Sequence, residues 1–192
     1  MVPLHGGRQK AAPEVARPFD ARAREDALTG LHGHPWFADD VRGASRRRRG
    51  TENPWVAVAA IEGLATIAAR LGPIAADGAL RAAAVCVHDA LRSGDKLARI
   101  GESRLGLIVD APFGDEAMAA LERIGRSVRT LASSRPEWRE LSLSIGVAPL
   151  WHRDPEQALD QALEALARAR RHGGGAVRLS TSSRPAPPRD GA

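Results

Sequence analysis

The chain has 192 residues, 43% of them hydrophobic and 27% charged. That suits one domain, able to bury roughly 70% of its unfolded surface without disulfide or metal staples. It excludes a wholly disordered chain, a collagen-like repeat and a disulfide scaffold. The net charge is +5, and of 28 basic residues only Lys10 and Lys96 are lysine. Arginine forks suit phosphate and guanine edges, although the same Arg and Ala richness also follows from GC-rich coding.

Residues 1–25 are rich in Pro, Gly, Arg and Ala without a clear period, and read as a flexible arm or a short lead-in helix. The folded domain is expected over 26–180, and the polar, Pro-rich 181–192 as a disordered tail. Asp26 to about Val41 reads as a helix beginning near an Asp cap. The run Arg46–Arg49 before Gly50 and Pro54 reads as a loop, ordinarily solvated. Trp55–Ile61 is a continuous apolar run, which predicts a buried strand. Leu64–Leu71 is a short helix ended by Gly72-Pro73, and Asp77–Leu91 has helical spacing. Lys96–Ile100 and Leu105–Val109 flank Gly-Glu-Ser-Arg, a hairpin with a turn of about four residues. Glu116–Leu131 is a further helix, and Leu141–Ala148 alternates as a strand. Asp154 and Pro155 open a last helix, which runs to about His172 and stops at Gly173–Gly175. Ala176–Leu179 closes as a strand. Helices flanking a mostly antiparallel sheet follow from this order.

The single Cys86 cannot form an internal bridge, so a reducing, cytoplasmic compartment is expected. No apolar run nears the roughly 20 residues of a membrane span, and the N-terminus has no apolar leader core. The chain has no Tyr, four Trp and three Phe. Few aromatic platforms stand beside the basic residues, which argues against single-stranded nucleic acid as a partner. His32 and His34, two apart on the expected helix, do not share a face. No cysteine or carboxylate completes a zinc set with them. Cys86 on an apolar helix reads as a small buried hydrophobe. Trp36 and Trp151 fit either the core or a partner surface.

Several segments together resemble the GGDEF family, the diguanylate cyclases that join two GTP into cyclic di-GMP. Asp26-Ala27-Leu28-Thr29-Gly30-Leu31 with Phe37 resembles its opening motif. Gly72, Asp77 and Leu80 match its GHxxGDxxL spacing. Arg99-Ile100-Gly101 precedes the signature hairpin, Ser144–Ala148 is similar to its SiGvA strand, and Ala165-Leu166 to Gly173 resembles its closing helix. The resemblance spans about 155 residues. It implies an α+β palm-like domain with a central five-stranded, mainly antiparallel sheet flanked by helices.

The family's reaction needs divalent cations on the phosphates, and magnesium prefers carboxylate ligands. The resemblance places those carboxylates at the end of the first strand and in the hairpin turn. Here Ala60 takes the first-strand Asp position. The signature turn reads Gly101-Glu102-Ser103-Arg104-Leu105, so Ser103 and Arg104 replace its acids. At about 4 Å and an effective dielectric near 20, one unit-charge repulsion costs about 4 kcal/mol, and a dication doubles it. Glu62, at the second Asp of the family's DxD, shares a face with Ala60 if the strand extends that far; otherwise it is a solvated strand end. Asp77 matches a guanine-contacting Asp but also reads as a helix cap, and its partner Asn falls on Ala68. A phosphate Lys falls on Ala65, while Arg170 keeps the charge of a late-helix Lys. Glu62, Asp77 and Arg170 thus form a vestigial substrate site, and the chain is expected to be neither a cyclase nor metal-dependent.

The family's second site is inhibitory and binds cyclic di-GMP through RxxD, five residues before the turn. Arg92-Ser93-Gly94-Asp95 stands there. An Arg fork can pair with phosphate or guanine O6 and N7, and an Asp accepts from the guanine N1 and N2 donors. Arg123 resembles a second Arg from a neighbouring face. The same residues also fit bland roles, an Arg at a helix C-terminus and an Asp in a turn. The leading expectation is an inactive domain that binds cyclic di-GMP, in which ligand bridges faces or a homodimer and alters a protein partner. The alternatives are a nucleotide-independent scaffold for a protein partner, and residual GTP binding or diguanylate cyclase activity through Glu62, Asp77 and Arg170.

Overall fold

In the computed structural model, residues 19–46, 53–151, 154–171 and 173–181 are described. The bulk of the expected arm (1–18) and tail (182–192), Arg47–Arg49, His152 and His172 lie outside them. The elements run α1 (His34–Ser45), β1 (Asn53–Glu62), α2 (Leu64–Leu71), α3 (Pro73–Ala90), β2 (Lys96–Gly101), β3 (Arg104–Ala111), α4 (Gly114–Ser134), β4 (Ser142–Pro149), α5 (Pro155–Arg171) and β5 (Val177–Leu179). A 3-10 turn, Pro136–Trp138, leads into β4. The five strands form one mixed sheet in the order β2-β3-β1-β4-β5. Three pairings are antiparallel and β4–β5 is parallel.

The central strand explains why its sequence is apolar without alternation. Ala57, Ala59 and Ile61 pack with Leu80, Ala83 and Val87 of α3 and Leu121, Ile124 and Val128 of α4. Val56, Val58 and Ala60 pack with Phe37 and Val41 of α1 and Ala158, Ala162 and Leu166 of α5. Successive side chains enter opposite layers, and both sets are buried. At Gly146 of β4, an added Cβ would collide with the backbone of Ala162 and Leu166. Only glycine lets α5 approach the sheet this closely. Trp151, partly buried, packs edge-on against the buried Trp55 at 4.5 Å between ring centroids, so it lies at the edge of the core.

Three expectations are corrected. No helix starts at Asp26. Residues 26–31 form a tight turn in which Gly30 N donates to Asp26 O (2.8 Å) and Asp26 N to Leu31 O (2.8 Å). Gly30 has φ +69°, so the chain reverses, and α1 waits for Pro35 in its first turn. His32 therefore lies outside any helix, bridged to Glu25 and to Ala98 beside β2. α3 begins at Pro73 rather than Asp77, because a proline at the first turn gives up an amide that is orphaned anyway. The hairpin turn is tighter than four residues. Gly101 and Arg104 pair across it, leaving Glu102 and Ser103 at the tip, with a register shift between Arg99 and Gly101. No helix among the described residues is long and apolar enough to cross a membrane.

Candidate functional site

A cavity of about 490 Å³ opens where β1 ends, α2 begins and the β2–β3 turn folds over. The chain leaves β1 at Gly63 with φ +86°, under the Glu140 carbonyl that any Cβ would strike. Glu62, Asp77, Arg170, Glu102 and Ser103 all line this cavity, so the fold brings together the residues that the resemblance pointed to. Ala65 and Ala68 also line it, so its helical wall is apolar where the resemblance implies Lys and Asn.

β1 does extend to Glu62, and Glu62 shares a face with Ala60. Glu62 is not a solvated strand end. Arg170 Nε lies 2.9 Å from its Oε1, and Arg170 Nη2 donates to Oε2 at 3.2 Å. The ion pair sets a cation beside the carboxylate, held by the one hydrogen bond to Oε2, while the buried Oε1 has no hydrogen-bond partner among the described residues. Asp77 is not a cap, because α3 begins four residues earlier. Ala60 is buried in the α1/α5 layer, opposite Arg104 on β3 and Ser144 on β4. Ser103 contributes its carbonyl, which accepts from Ile61 N at 2.8 Å. Arg104 is exposed and Leu105 fully buried. No group of three or more His, Cys, Asp or Glu that could hold a metal ion occurs among the described residues. Glu62 is thus paired with Arg170, and Ala60 offers no ligand atom on the same face.

The turn is held from below by a buried ion pair. Arg99 Nη1 donates to Asp26 Oδ1 (3.0 Å) and Oδ2 (2.9 Å). Its Nη2 reaches Glu102 O (2.7 Å) and its Nε Gly101 O (3.2 Å). Thr29 donates to Asp26 Oδ1 from both its amide (2.8 Å) and its hydroxyl (2.7 Å). Burial alone would raise the Asp26 pKa, but the bonds from Thr29 and then Arg99 outweigh it and hold the carboxyl below its ordinary value. Asp26 and Arg99 each belong to a conspicuous motif, yet their contact joins positions 73 apart and was not legible in either.

A second cavity, of about 400 Å³, lies at the C-terminal end of α3. Arg92 and Asp95 both line it. Asp95 N donates to Arg92 O (3.0 Å), and Arg92 N donates to Asp95 Oδ2 (2.9 Å). This closed turn fixes the Asp95 carboxylate and occupies one of its oxygens. The exposed Arg92 guanidinium has no hydrogen bond or ion pair among the described residues. Arg123 lies outside the cavity. Its Nη2 is 3.5 Å from the carbonyl of Ala90, the last residue of α3, which places it on the flank. His32 and Trp36 also line the cavity, their rings stacked at 3.9 Å and 11°. The stack forms although His32 lies outside α1.

The family model for "Diguanylate cyclase, GGDEF domain" matches residues 23–176. The chain belongs to the GGDEF family. Among solved structures it is similar to the diguanylate cyclase SiaD from Pseudomonas aeruginosa, in complex with its activator SiaC. That match has TM-score 0.73 and 25% identity, over 83% of this chain and 62% of SiaD. The chain thus spans less than two thirds of SiaD. It is also similar to the isolated GGDEF domain of TpbB (YfiN) from the same organism, with TM-score 0.69 and 26% identity over 81% and 94%. The GGDEF domain of DgcB from Caulobacter crescentus, in complex with c-di-GMP, shares the fold at TM-score 0.71 and 21% identity over 84% and 98%. No curated protein matches.

Proposed function

We propose that this GGDEF domain is catalytically inactive and binds cyclic di-GMP at Arg92 and Asp95, with Arg123 on the flank. The observation that carries the reading is the unengaged Arg92 guanidinium beside a carboxylate fixed by its own turn, both facing one cavity. An Arg fork and an Asp acceptor are complementary to a guanine edge or to phosphate plus base. The ordered turn lowers the entropy that binding must otherwise overcome. Loss of catalysis is supported by Ala60, Ser103 and Arg104 at the metal positions and by the Glu62–Arg170 ion pair. Cyclic di-GMP is therefore a ligand rather than a product, and no metal cofactor is needed.

The domain acts by presenting a ligand-dependent face to a protein partner, and the SiaD complex with an activator protein supports that mode of working. Thermal unfolding with cyclic di-GMP and no magnesium, beside GTP turnover with magnesium, tests the reading. Stabilisation by the dinucleotide with no turnover is expected. Magnesium-dependent turnover would overturn the inactive assignment. Absence of any thermal shift or turnover would leave a nucleotide-independent scaffold.

A further inference from the structure

The stacked His32 and Trp36 rings form a wall of the same cavity that Arg92 and Asp95 line. With centroids 3.9 Å apart and planes 11° from parallel the rings are stacked, so Trp36 backs the imidazole on one side. His32 is exposed. Lys96 Nζ lies 6.0 Å from the centroid of Trp36 and lines the cavity too. One small volume thus collects an aromatic surface, a free guanidinium, an oriented carboxylate and an ammonium. A nucleotide with a purine base and a phosphate is matched by that set: the π-face takes the base, Asp95 its donors, and the cations its phosphate.

Resting on the cyclic di-GMP reading above, the geometry points to the His32–Trp36 stack as the base platform of that site, with His32 as the contacting ring. The backbone holds the platform in place, because Arg99 N donates to His32 O at 2.8 Å. His32 therefore keeps its position when its side chain is changed. Trp36 fixes the plane of the imidazole from behind, packed on the α1 layer.

The test is calorimetric titration of the full chain with cyclic di-GMP for wild type, His32→Ala, His32→Phe and Trp36→Phe. Thermal midpoints establish that each variant is folded. His32→Ala is expected to weaken binding roughly ten- to hundredfold, the usual range for losing one base stack. His32→Phe restores it, because a phenyl ring supplies the same face. Ligand changes the tryptophan fluorescence of wild type, and that change is reduced in Trp36→Phe. Wild-type binding with an unchanged affinity in His32→Ala overturns the platform and leaves Arg92 and Asp95 as the site. No wild-type binding overturns the cyclic di-GMP reading itself, and the platform with it.

Discussion

Replacing Asp26 by Ala removes a carboxylate that is 6% exposed, along with four of its contacts at 2.7–3.0 Å. Arg99, 5% exposed, is left with the carbonyls of Gly101 and Glu102 and the Phe19 ring, 5.4 Å away, but with no counter-charge among the described residues. Breaking one half of a buried ion pair costs about 3–5 kcal/mol, mostly because the surviving charge has no counter-charge. With a urea slope near 2 kcal/mol/M, the midpoint falls by about 2 M. The double variant Asp26→Ala/Arg99→Met removes the stranded charge and recovers much of that loss, a coupling of about 2 kcal/mol or more. Urea unfolding followed by circular dichroism measures all four corners of the cycle. A cost for Asp26→Ala under about 1 kcal/mol, or a double variant no more stable than the single, would refute this reasoning. The same pair sets an acid limit. The folded Asp26 pKa is depressed, so its contribution is present above the unfolded carboxylate pKa and drains as pH falls through the folded value. The stability gap between wild type and Asp26→Ala therefore narrows below about pH 4.

Other outcomes follow from packing and titration. Gly146→Ala drives a methyl into the backbone of α5 and destabilises by about 1–3 kcal/mol, read from the same urea curves. Glu62→Gln releases Arg170, which is half exposed, and costs about 1 kcal/mol or less. Burial, and next the Asp89 carboxylate, pushes the Cys86 thiol pKa up. Cys86 should therefore react with a maleimide more slowly than a thiol in an unstructured peptide at pH 7, with the gap closing in alkali.

The sheet was legible because its pattern is set by burial on both sides. Trp55–Ile61 read as a buried strand, since seven apolar residues in a row suit a strand covered on both faces, and β1 is the central strand of the sheet. α2 was legible to the residue, because Gly63 and Gly72 bracket it. Asp26 was misread because an Asp side chain bonding amides three residues on is common to caps and turns. Gly30 at positive φ decides between them, and the sequence does not display φ. The late start assigned to α3 has a similar cause, as Pro73 both ends one helix and opens the next. At the candidate site, Arg92 and Asp95 were legible as a local turn. The Glu62–Arg170 and Asp26–Arg99 pairs depend on how distant segments come to rest, and periodicity carries no information about that. His32 and Trp36 are four apart, a spacing that the expected helix would also have brought together.

The account rests on Arg92 and Asp95 reading a guanine dinucleotide. Isothermal titration of the magnesium-free protein with cyclic di-GMP, beside Arg92→Ala and Asp95→Asn, tests it most directly. Asparagine can still accept from Arg92 N, so that variant keeps the turn while putting an amide donor against the guanine donors. Micromolar or tighter binding is expected, about −8 kcal/mol or better, weakened by about 1.5–3 kcal/mol in each variant. Wild-type binding that neither substitution alters, or no heat from wild type at all, would contradict it.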